Sequence, residues 1–130
     1  MSKLAASAHW ENRYVTDGTP GVNARPVVLI GPVCVGKSVA GALVAERLGR
    51  EFIEADRVCS QIYAERGWSP ARFAEVKACR GAEAAYDDFE AFAAASACQV
   101  LYGYLGAVIA MGAGHTHYRS RQRHEEVLAA

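Results

Sequence analysis

One octapeptide narrows what this chain can fold into more than any other stretch: Gly31-Pro32-Val33-Cys34-Val35-Gly36-Lys37-Ser38, two glycines flanking four residues, then Lys and a hydroxyl. Its surroundings give the spacing a meaning. The run 27–30 is apolar and mostly β-branched, as in a strand buried on both faces. From Lys37 the pattern turns helical, with Val39, Leu43, Val44 and Leu48 on one side, Glu46 and Arg47 opposite, and Gly49 placed to close the C-terminus. A strand that stops at a glycine turn and restarts as a helix aims successive backbone N–H groups, and the positive end of the helix, at a single point. That is a cradle for a polyphosphate. The groups expected to line it are the amides of Gly31, Val33, Cys34, Val35, Gly36, Lys37, Ser38 and Val39. The Lys37 ammonium is expected to reach the outer phosphates and the Ser38 hydroxyl to join a Mg²⁺ shell.

The pattern beyond the loop predicts an α/β domain. Residues 51–54 read as a second strand, so that strand, helix and strand fall within about thirty residues, as a parallel βαβ unit requires. Residues 57–80 read as helical with a break at Gly67-Trp68-Ser69-Pro70, where Ser69 can cap a helix carrying Pro70 in its first turn. Asp87 or Asp88 is the expected cap of a long Ala-rich helix ending near Gly103. A third buried strand is expected over 107–111, a tight turn at Gly112-Ala113-Gly114, and a further helix within 119–130. Residues 1–25 lack either periodicity and read as a flexible N-terminal tail, leaving 26–130 as one domain.

Composition excludes several function classes. The 130 residues carry 14 Lys+Arg against 14 Asp+Glu, a net charge of zero, so no electrostatic footprint for nucleic acid is present. Cys34, Cys59, Cys79 and Cys98 form no CxxC pair, which suggests reduced thiols and a cytoplasmic setting rather than a disulfide framework. No signal-peptide pattern is visible. The stretch 91–118 has no Asp, Glu, Lys or Arg, which raises the question of a membrane span. Its Ala-rich composition and its interruption by Ser96, Gln99, Gly103 and Gly106 suit a buried helix followed by a buried strand instead. Trp68, Phe73, Phe89, Phe92, Tyr102 and Tyr104 have no basic stripe beside them and read as packing residues.

The segment PVVLIGPVCVGKSVAGALVAERLGREFIEADR, residues 26–57, closely resembles the opening of shikimate kinase and related small P-loop kinases. The likeness includes the helix end Val44-Ala45-Glu46-Arg47-Leu48-Gly49 and a second strand closing in two acids. It returns over 107–114, where AVIAMGAG is similar to the family's third strand and triple-glycine turn, so about half the chain is covered. The resemblance implies a P-loop NTPase fold, a three-layer α/β/α sandwich on a parallel sheet. Here that sheet would be truncated to about three strands in the order 2-3-1. It implies ATP and Mg²⁺ as cofactors and a small-molecule substrate, with phosphoryl transfer to a hydroxylated metabolite of the shikimate kind. Lys37 and Asp56 would be catalytic, Asp56 by gripping the acceptor hydroxyls. Ser38 and Glu54 would serve the metal, and Asp56, Gly112, Ala113, Gly114 and His115 would line the acceptor site. The bland alternative for Glu54 and Asp56 is a solvated strand end with a helix cap.

Departures from the family pattern carry expectations of their own. Where the family has an Arg after a Phe to pair with a substrate carboxylate, this chain has Asp87-Asp88-Phe89-Glu90, leaving Arg72 and Arg80 as candidates for that duty. Ala113 interrupts the triple glycine. His115 and His117 are expected in an exposed loop, where an imidazole can bond a phosphorylated product or a different acceptor. The family's arginine-bearing lid is absent, and Arg119, Arg121 and Arg123 fall where the helix after the third strand belongs. A three-strand sheet would leave 27–30 as a bare apolar edge. The expectation is therefore a C-terminally incomplete kinase domain, a homodimer that covers the edge, or a non-catalytic nucleotide-binding module.

Overall fold

A computed structural model describes residues 25–130; the expected tail, 1–25, lies outside the described residues except for Arg25. The elements run β1 (Val27–Leu29), α1 (Lys37–Leu48), β2 (Phe52–Glu54), α2 (Ala55–Glu65), α3 (Pro70–Arg80), α4 (Ala82–Gly103), β3 (Val108–Ala110), a 3₁₀ turn (Ala113–His115) and α5 (Arg121–Ala129). The strands are each a residue or two shorter than the segments expected from sequence.

All three strands are parallel, and β3 pairs with both others, Val108 standing opposite Val27 on one side and Phe52 on the other. The order is β1-β3-β2, which from the opposite edge reads 2-3-1. Every residue of β3 is buried, as its central position demands. β1 lies at an edge, where Val28 and Ile30 are exposed.

Side chains of a strand alternate between faces. Ile53 and Ile109 point into a core shared with α2 and α4, built from Cys59, Ile62, Tyr63, Ala93, Ala97, Val100 and Leu101. Phe52 points the other way, against α1: a side chain added at Gly41 would fall 2.5 Å from its ring. Helices therefore cover both faces. The charge-free stretch resolves into the end of α4, β3 and the following turn, and among the described residues no helix is long and apolar enough to cross a membrane.

Two expectations about helices are corrected. In α1 the buried residues are Gly41 and Ala45, whereas Val39, Leu43 and Leu48 of the expected apolar side are exposed. Close contact with Phe52 admits only small side chains, so the glycine–alanine pair one turn apart becomes the packing face. In α4 the first residue is Ala82 and Gly81 takes the cap position, so Asp87 and Asp88 lie inside the helix. They are held there by ion pairs with Arg123 and Arg72 rather than by capping. Ser69 does cap α3, accepting from Arg72 N–H with Pro70 at the first turn, and Gly49 closes α1 at φ 61°.

The aromatic residues pack mainly as expected. Trp68 and Phe89 contact Tyr63, and Phe73 meets Tyr86, but Tyr102 is exposed. All four cysteines are free, and burial together with the Asp56 charge pushes the Cys59 thiol up to about 12.

Candidate active site

Parallel strands end on the same side of a sheet, and the segments leaving those ends converge there. From β1 comes the 31–36 loop, from β2 the start of α2 with Glu54, Asp56 and Arg57, and from β3 Met111, Gly112 and Ala113. These segments line one cleft of about 440 Å³, together with Lys37, Ser38 and Val39. Of the residues expected from sequence, the cleft gathers Val33, Cys34, Val35, Gly36, Lys37, Ser38, Val39, Glu54, Asp56, Gly112 and Ala113. Gly31, Gly114 and His115 are not among its lining.

The loop has the backbone of a turn. Gly31, Cys34 and Gly36 all have positive φ, at 151°, 62° and 93°. Only Cys34 takes such a value here with a side chain, which carries some strain. The first bond within α1 is Ala40 N–H to Gly36 C=O, so the amides of Gly36, Lys37, Ser38 and Val39 precede the helical ladder. No side chain caps this end, and no acid sits in its first turn. The positive end of α1 opens into the cleft with no acid of its own first turn to offset it. Lys37 folds back on the loop instead, its Nζ donating to Gly31 O at 2.8 Å and Pro32 O at 2.7 Å.

On the opposite wall, β2 runs straight into α2. Glu54 is both the exposed end of β2 and the cap position of α2, though with no side-chain capping bond, and Asp56 is exposed in the first turn, so the strand-end alternative fits their placement as well as a site role does. Asp56 Oδ1 lies 3.1 Å from His115 Nδ1, in contact though not aligned as a full hydrogen bond. Gly112 makes this approach possible, because a Cβ there would lie 1.7 Å from the same oxygen.

His115 is not in an exposed loop. It is 6 % exposed, its Nε2 in contact with the Tyr63 hydroxyl and its carbonyl accepting from Tyr118 Oη at 2.9 Å. Burial lowers its proton affinity, with the Asp56 charge pulling the other way. His117 is exposed as expected. The fold packs His115 inward because it lies in a 3₁₀ turn folded under Gly112, its N–H donating to Gly112 O.

The arginines considered for carboxylate binding or lid duty are engaged elsewhere. Arg72 forms a two-pronged pair with Asp88, Nε and Nη2 each 2.8 Å from a carboxylate oxygen. Arg123 Nη1 lies 2.6 Å from Asp87 Oδ1 and 3.6 Å from Glu90, Arg121 pairs with Glu125, and Arg119 approaches Glu83. Arg80 lines a separate cleft with Glu83, Asp87 and Glu90. Sequence reasoning missed Arg57, which joins Lys37 as a cation of the main cleft. Its signal was its position next to Asp56, just past the end of the second strand.

No family model matches the chain. It is 41% identical over 69 residues to a shikimate kinase of Streptomyces avermitilis, covering 47% of this chain and 40% of that protein. With a shikimate kinase of Streptomyces coelicolor it shares 35% identity over 74 residues, 51% of this chain and 43% of that protein. The chain is thus similar to shikimate kinases over about half of its own length, a match that spans about two fifths of theirs.

Proposed function

We propose that the chain binds the triphosphate of ATP in the 31–39 loop and transfers the γ-phosphoryl group to a hydroxyl of a small hydroxylated metabolite of the shikimate type. One observation carries this reading: the uncapped positive end of α1 and the Asp56 carboxylate face one cleft from opposite walls. The first suits phosphate and the second suits an alcohol. Similarity to shikimate kinases supports the choice of reaction.

In this reading the amides from Gly36 to Val39 bind phosphate oxygens. The Lys37 ammonium exchanges its two loop carbonyls for phosphate and stabilises the charge that builds on it. Asp56 orients the acceptor hydroxyl and takes its proton as the new P–O bond forms and the bond to the ADP oxygen breaks. The Ser38 hydroxyl and the Glu54 carboxylate, both lining the cleft, supply hard oxygen donors for Mg²⁺ and its water. That ion, when bound, would neutralise phosphate charge.

A second reading, a nucleotide-binding module without turnover, is favoured by one specific feature. Lys37 and Arg57 are the cations lining the cleft among the described residues, while Arg119, Arg121 and Arg123 are paired with acids of α4 and α5. Purified chain with ATP, Mg²⁺ and shikimate, beside a Lys37→Ala control, separates the two. ADP and shikimate phosphate formed by the parent and lost in the control support the kinase. Nucleotide binding without product supports the module, and no nucleotide binding removes both.

A further inference from the structure

The resemblance to kinases does not account for a buried chain of polar groups behind the acceptor wall. Asp56, Cys59 and Tyr63 fall at i, i+3 and i+7 on α2 and so share one face. His115 is inserted beside that stripe, its Nδ1 toward the Asp56 carboxylate and its Nε2 on the Tyr63 hydroxyl. Its ring also stacks on Tyr63, with centroids 5.9 Å apart, and Tyr63 is wedged edge-on against Trp68 and Phe89. Neither His115 nor Tyr63 lines the cleft, whereas Asp56 does, its side chain 73 % exposed to solvent.

Chemistry selects one tautomer. A neutral imidazole carries one N–H, and a bare Nδ1 lone pair facing a carboxylate would be repulsive. Burial keeps the Tyr63 phenol protonated, so its O–H donates to Nε2 and the ring proton remains on Nδ1, 3.1 Å from Asp56 Oδ1. We propose that His115 is a positioning residue: Tyr63 holds it as the Nδ1–H tautomer, and it fixes one oxygen of Asp56 while the rest of that carboxylate faces the acceptor. The 3₁₀ turn thereby does two jobs, since Gly112 leaves the space that Asp56 occupies and His115 holds it there. The catalytic consequence rests on the kinase reading above; the positioning itself does not.

The test uses the whole chain labelled with ¹⁵N-histidine. At pH 7.5 the imidazole shifts of His115 are expected to report Nδ1–H with an unprotonated Nε2, and Tyr63→Phe is expected to mix the tautomers. Asp56→Asn is expected to lower the pH at which His115 takes up its second proton. Tyr63 on the ring, Tyr118 on the His115 carbonyl and Cys59 between Asp56 and Tyr63 on α2 are all kept uncharged by burial. A dominant Nε2–H tautomer in the parent, or no response to either substitution, overturns the proposal. In the kinase assay His115→Leu is expected to lower kcat about tenfold with the nucleotide Kd unchanged. His115→Asn, whose amide can replace Nδ1–H, is expected to restore most of that loss. Equal kcat in the leucine variant and the parent also overturns the proposal. A parent without turnover removes the kinase reading alone, and the tautomer then decides the positioning role.

Discussion

Gly112→Ala isolates the geometry of the acceptor wall, because it adds one methyl group and nothing else. The backbone at Gly112, φ −66° and ψ 151°, suits any residue, so no main-chain strain enters. The added Cβ would stand 1.7 Å from Asp56 Oδ1, 2.4 Å from Cγ and 2.7 Å from Oδ2. Ordinary contact with a methyl group requires roughly 3.3 Å or more, so the carboxylate must retreat by about 1.5 Å. Asp56 has an exposed side chain and can swing into solvent, which spares the fold but breaks its approach to His115. A misplacement of about 1 Å at a reacting group costs on the order of a hundredfold, about 2.7 kcal/mol of barrier. Stability is expected to fall by only about 1 kcal/mol or less, because the 3.1 Å approach of Asp56 to His115 that it breaks is not an aligned hydrogen bond. The assay is steady-state ADP release at varied acceptor, with nucleotide affinity measured separately by calorimetry. A hundredfold drop in kcat/KM with unchanged nucleotide affinity is expected. Parent-like kinetics in a folded Gly112→Ala chain would refute the placement of Asp56 at the acceptor.

Other outcomes follow from the same geometry. Lys37→Ala should weaken nucleotide binding at least about tenfold, measured by calorimetry, with little change in Tm, because the bonds it loses are made to loop carbonyls. Gly41→Val should destabilise the chain by about 1–3 kcal/mol in urea unfolding, since its side chain would collide with Phe52 and lift α1 from the sheet. A thiol reagent should modify the exposed Cys34 and Cys79 and spare Cys59, and ATP should protect Cys34 but not Cys79, read by peptide mass mapping. Burial holds the His115 proton affinity below its ordinary value near 6.5, so the unfolded chain binds that proton first on acidification. The stability contributed by neutral His115 is therefore complete above about pH 6.5. It declines as pH falls from there toward the lower folded value, by at most about 1.4 kcal/mol per pH unit, and His115→Asn should flatten that slope in urea midpoints.

Much of this molecule is legible one segment at a time. The phosphate loop, the span of α1 from Lys37 to Leu48, its glycine stop and the Ser69-Pro70 start of α3 depend on φ preferences and bonds reaching only a few residues along the chain. The third strand was legible as a continuous apolar run too short for a helix. Glu54 and Asp56 could be placed beside the loop because parallel strands bring their ends to one edge. What local reading misjudged was which way side chains face. The exposed Val39 and Leu43, the internal ion pairs of Asp87 and Asp88, and the buried His115 each depend on a neighbour far away in sequence.

The chain's own pattern therefore determined that a strand, a glycine turn and a helix present unpaired amides and a lysine at one point, since those groups are covalently consecutive. Only the tertiary structure decided that His115 stands behind Asp56 and against Tyr63, and that Arg123 is paired with Asp87. These partners are brought together by the packing of α2, α4 and α5 around β3, and no short-range preference records which distant side chain will fill the space left by a glycine.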